Sequence, residues 1–165
     1  MKIKVFLLMI LLIIVFVFVA VVSIAVFSPF LDNRRVSSEA EFIPVYFSGH
    51  CFNAEVASSF SARMKGLMYR ESLAEDTGMI FSFSGEDRHA FWMKNTLIPL
   101  DIIWISENKE IVYIAKNVQS CKSLICPSVS SDKPAKYVLE INGGKADETG
   151  LKIGDKANFD LRNQF

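Results

Sequence analysis

Five polar side chains, Lys94, Asn95, Thr96, Asp101 and Glu140, interrupt apolar stretches, and with two arginines nearby their types could do chemistry. Asp101 opens the apolar run "DIIWI", and Glu140 lies inside "YVLEI". An ionised carboxylate is costly to bury unless it is paired and hydrogen-bonded. Arg63, Arg70 and Lys94 are available cations near motif-like sequence, and Asn95 and Thr96 add further donors. Gathered together, the seven would form one compact polar cluster. Three uses are open to it. It could fix strand ends and loops as a buried network. It could hold a small polar ligand. Or Asp101 and Glu140 could divide acid and base roles, if their surroundings split their pKa values. Arg63 is the expected distant partner of Asp101, because a guanidinium grips a carboxylate with two bonds.

Other chemistries find less support. The glycines have neither Walker nor Rossmann spacing, and no G-x-S-x-G elbow occurs. Met64, Met68, Met79 and Met93 are soft donors, but methionine at such positions more commonly fills a core. His89 lies in "GEDRHAF", read as an exposed turn. Cys121 and Cys126 enclose four residues and precede Pro127. They could close a small disulfide loop worth ~2 kcal/mol, stay as separate thiols, or supply half of a zinc site. Zinc would need two more ligands, and His50 and His89 are the only histidines. No metal or cofactor is expected, and Cys51 is left over as a small hydrophobe.

The elements that must position these groups begin after an apolar N-terminal run. Val5 to Phe27 is apolar except for Ser23. At ~1.5 Å per residue that run spans a hydrocarbon core. It reads as an uncleaved membrane anchor over residues 1–29, with a signal sequence as the competing reading. Residues 30–41 read as a linker and 42–165 as one β-rich domain. "FIPVYF", "CFNAEVA", the alternating stretch after Met79, "DIIWI", "EIVYIA", "KYVLEI" and a last strand near Phe159 carry strand patterns. Asp76-Thr77-Gly78 reads as a turn, and 119–134 as a long loop. Short helices are expected after Ser58 or Ser59, ending at Gly66, and over "KADET", ending at Gly150. The resulting fold class is α+β, mostly antiparallel sheet with closure into a barrel open to it, and two short helices behind one transmembrane helix.

Charge narrows the partners. Setting Lys2 and Lys4 aside, 16 basic residues face 18 acidic ones, a net charge of −2. That argues against a nucleic-acid binder, which would carry a basic face.

Four separated stretches, "ARMKGLMYRESL", "TGMIFSF", "FWMKNTLIPLDIIWI" and "YVLEINGGKADETGLKIGD", together resemble the family called domain of unknown function 192. The resemblance runs from about Phe42 to Leu161, and the "C…CP" placement before "YVLE" shares it. It implies a compact β-rich fold, often behind a signal or membrane anchor in prokaryotes. It implies no reaction and assigns no catalytic residue.

The sequence therefore leads to a domain outside a prokaryotic membrane, tethered by a helix whose N-terminus is cytoplasmic, or secreted if that segment is cleaved. A disulfide would fit the oxidising side. The expected role is a non-enzymatic module binding a small polar ligand or a protein. The alternative is a hydrolase-like or transferase-like enzyme using Asp101 or Glu140.

Overall fold

The computed structural model describes residues 10, 12–23, 41–47 and 49–161. The chain divides into two units, Met1–Glu39 and Ala40–Phe165. In the first, residues 12–23 form helix α1, and every one of its side chains is exposed. Among the described residues no helix is long and apolar enough to cross a membrane. The transmembrane expectation over Val5–Phe27 falls in part on residues outside those described, as does nearly all of the 30–41 linker.

The second unit is built on a six-stranded mixed sheet. Its strands are β1 (Phe42–Phe47), β2 (His50–Ala57), β3 (Thr77–Asp87), β5 (Leu100–Ile105), β6 (Ile111–Val118) and β8 (Ala135–Asn142), in the order β1-β2-β3-β8-β5-β6. Two short strands, β4 (Ala90–Trp92) and β7 (Ser128–Ser130), pair separately. All sheet neighbours are antiparallel except β2 and β3, which run parallel. A parallel pair needs a crossover. Here it carries helix α2 (Phe60–Lys65) across one face. Ser59 caps α2 by accepting from the Ala62 N–H at 3.2 Å, and Gly66 ends it at φ +47°. Helix α3 (Lys145–Glu148) follows β8 and stops before Gly150, whose φ is +70°.

The sheet is buried on both faces. Every residue of β5 is buried, which explains its unbroken apolar run. Ile103, Ile105, Leu139, Ile141 and Ile80 pack on one face with Phe52 and the C-terminal Leu151, Ala157 and Phe159. Ile102, Trp104, Val138, Met79 and Phe81 pack on the other with Leu67 and Met93. We call these the C-terminal face and the α2 face.

The sheet does not close into a barrel. Its edge strands β1 and β6 do not pair with each other. The C-terminal segment instead bonds to both edges. Ile111 donates to the Asp155 carbonyl and Gly154 to the Ile111 carbonyl, each at 2.9 Å. Tyr46 and Asn158 exchange two backbone bonds of 2.9 and 2.8 Å. The last strand expected near Phe159 is thus reduced to isolated bridges, which cover the edges without extending the sheet. Thr77 and Gly78, expected in a turn, begin β3. A Cβ on Gly78 would lie 2.5 Å from the Glu140 carbonyl oxygen, so this glycine permits close approach of β8 rather than a bend.

Candidate functional site

The two carboxylates do not share a site. In the register of β5 and β8, Asp101 is paired with Ile141 and Ile102 with Glu140. Side chains alternate along a strand. Asp101 therefore falls on the C-terminal face and Glu140 on the α2 face. The expected seven-residue cluster is split by the sheet itself.

Asp101 is fully buried, and its partners are backbone amides. Its Oδ1 accepts from the N–H of Asn117 at 2.7 Å and of Gly144 at 3.0 Å, and its Oδ2 accepts from Ala146 at 2.7 Å. The expected grip by Arg63 is absent, and so is a bond to Lys94. Three N–H donors satisfy the carboxylate without a cation. Two of them belong to the start of α3, so Asp101 ties that turn to the central strand.

Glu140 is the opposite case. It is 5% exposed. No hydrogen bond or ion pair joins its carboxyl to another described residue. Burial alone pushes its pKa from 4.5 up to about 8, because desolvation disfavours the charged form. It lies at a cavity of about 30 Å³, walled by Arg63, Gly66, Leu67, Phe81 and Thr96 among others. Thr96, 4% exposed, lines the same cavity. The charged neighbours in that wall are Arg63 and Lys65. Arg63 is turned elsewhere: its Nη1 donates to the Ser58 carbonyl and, at 3.1 Å, to the Ser82 carbonyl. Its guanidinium lies over the Phe83 ring, 5.1 Å from the centroid.

Beside this cavity is a larger groove of about 290 Å³. Arg63, Met64, Phe81, Phe91 and Trp92 line both. Phe60, Phe83, His89 and Ala90 complete the groove. It forms where α2 from the crossover meets β4, and its aromatic rings come mainly from β3 and β4. Phe91 meets Phe81 edge-on with centroids 4.9 Å apart. His89 is not simply an exposed turn residue. Its ring stacks on Phe83 at 3.5 Å, its Nε2 is buried without a hydrogen-bond partner, and burial lowers its pKa below 6.5.

The remaining expected site residues serve local structure. Arg70 pairs with Glu55. Lys94 donates to the Leu124 carbonyl at 3.4 Å and sits 5.7 Å from the Trp92 ring centroid. Asn95 takes a left-handed φ of +57°, and its Nδ2 donates to the Tyr69 hydroxyl at 2.8 Å. Cys121 and Cys126 form a disulfide, and Cys51 is free. Among the described residues no group of three or more His, Cys, Asp or Glu could hold a metal. Of the seven candidates, the structure brings together Arg63, Thr96 and Glu140. The aromatic groove beside them was not anticipated, although the alternation of Phe81 and Phe83 and the Phe91-Trp92 pair were its signal.

An open, mostly antiparallel sheet with an aromatic groove beside an unpartnered buried carboxyl defines a β-rich domain with a preformed concave site. The chain belongs to the family called domain of unknown function 192: that family's model, described as "Uncharacterized ACR", matches residues 44–159. No curated protein matches the chain. Two solved structures are similar. One is a "putative transcription regulator" from Sinorhizobium meliloti 1021, 34% identical with a TM-score of 0.68, the match covering 73% of this chain and 95% of that one. The other is a protein of unknown function from Novosphingobium aromaticivorans DSM 12444, 37% identical with a TM-score of 0.68, covering 75% of this chain and 89% of that one.

Proposed function

We propose that the chain is a membrane-tethered, extracytoplasmic binding module whose ligand occupies the aromatic groove and reaches Glu140. The observation that carries this reading is the Glu140 carboxyl itself. A buried polar group without a partner destabilises a fold by ~1–3 kcal/mol, and such a group at the end of a preformed apolar groove is the arrangement expected of a ligand site. The apolar run Val5–Phe27 and the Cys121–Cys126 disulfide support the tether and the oxidising compartment.

Two-carboxylate catalysis receives no support, because Asp101 is on the far side of the sheet and saturated with amide donors. The regulator name attached to the Sinorhizobium protein also gains nothing from the charge balance, since nucleic-acid binding would call for a basic face.

The test is a fragment screen of the full chain in nanodiscs, followed by NMR or by fluorescence of Trp92, which rims the groove. Small aromatic and aliphatic compounds of all charges should perturb groove residues. Ala90→Trp, which fills the groove, should abolish that response. If no compound of any charge perturbs the groove, the reading fails.

A further inference from the structure

We propose that the ligand of this groove is a small primary amine with an apolar or aromatic body, its ammonium seated against the Glu140 carboxyl. The inference rests on the groove being a binding site and adds the chemical class of what enters it.

The two adjoining spaces differ in size and lining, and the difference sets the ligand's shape. The cavity at Glu140, about 30 Å³, is the narrower of the two. An ammonium is compact enough to enter that space. The groove, about 290 Å³, holds a ring with a short chain. An ammonium brings three donors. Glu140 offers unused acceptors, so the head finds a partner on entry.

Charge points the same way. Arg63 and Lys65 are the cations of the cavity wall. Arg63 is committed to the Ser58 and Ser82 carbonyls and to the Phe83 face, and Lys65 is exposed. Neither is paired with Glu140, so the carboxyl has no counter-charge among the described residues. An arriving ammonium supplies it. The rings of Phe81, Phe91 and Trp92 line the way in, and aromatic faces attract cations. An anionic head would have to meet the Glu140 carboxyl directly. Burial pushes the Glu140 pKa up to about 8, so an ammonium that pairs with the carboxylate displaces its proton to solvent. Ionisation on binding would convert a neutral contact into a charge-assisted one, the stronger kind.

The experiment titrates the full chain in nanodiscs with 2-phenylethylamine, 2-phenylethanol and 3-phenylpropanoate at one pH near neutrality. The three share a ring and a short chain and differ in head charge. The amine should bind about tenfold or more tightly than either of the others. Glu140→Gln should erase the amine's advantage over the alcohol. Equal affinity for amine and alcohol, a preference for the acid, or an amine advantage that survives Glu140→Gln would each overturn the inference while leaving the groove as a site. If none of the three binds and the wider screen is silent too, the site reading has failed and this inference with it. The comparison on the parent chain decides the matter even if the variant does not fold.

Discussion

At the scale of single residues, two buried carboxylates in neighbouring strands have opposite energetics. Asp101 accepts three amide N–H bonds, so Asp101→Asn must turn an amide N–H₂ toward donors or lose them. Stability should fall by ~2–4 kcal/mol. An unchanged denaturation midpoint would mean those bonds contribute little. Glu140 has no such support, and its pKa is raised from 4.5 to about 8. The folded state then holds a proton that the unfolded state releases above its own lower pKa. More protons bound in the folded state means that the contribution of Glu140 to stability falls as pH rises from 4.5 to about 8 and is level above and below. Glu140→Gln removes that slope. It should match the parent near pH 4.5 and exceed it at pH 8 by ~2–4 kcal/mol, as read from denaturant melts at both. A variant with the parent's pH profile would show that Glu140 is not the titrating group. The sequence revealed both residues as out of place, because each interrupts an apolar strand. It could not separate them. Whether two carboxylates share a face depends on the register of β5 against β8, and no local pattern in either strand encodes that register.

At the scale of elements, legibility followed how local the cause was. Helix α2 was readable because Ser59 and Gly66 mark its ends. Strand β1 was readable from its strict alternation, with Ile43, Val45 and Phe47 inward. β7 was hidden inside the predicted 119–134 loop because three residues carry no period, and only its pairing with β4 makes it a strand. The disulfide sits between these two. Cys121 bridges to Lys94 just after β4, and Cys126 lies two residues before β7. It therefore braces the loop that carries the small sheet, on the side where Trp92 rims the groove. Replacing both cysteines by serine should lower stability by ~2 kcal/mol, and should broaden Trp92 signals more than those of Trp104, which is fully buried. Peptide mapping of protein from its native compartment should find Cys121 linked to Cys126 and Cys51 free. A bond from Cys51 to either partner would contradict the pairing.

At the scale of the whole molecule, composition separates the chain into two parts with different solvents in view. From Ala40 onward the apolar residues are largely buried on the two faces of one sheet. In α1 they are exposed, Phe16 at 77% and Phe18 at 69% among them. Exposed apolar surface of that extent calls for a cover, and under the tether proposed above the run Val5–Phe27, apolar but for Ser23, would find it in a bilayer. A groove that admits small ligands would then be held at the membrane surface, on the side where the disulfide survives. The full chain should stay with the membrane fraction through high-salt and carbonate washing, whereas a chain beginning near Val36 should be released and remain folded. Salt alone would detach a protein held by surface charge, and this chain, with a net charge of +0, has little of that to offer. Carbonate resistance thus isolates the apolar run as the cause. Release of the full chain by carbonate would remove the tether, and with it the extracytoplasmic placement that the tether supports, but it would leave the groove and Glu140 to be tested on their own terms.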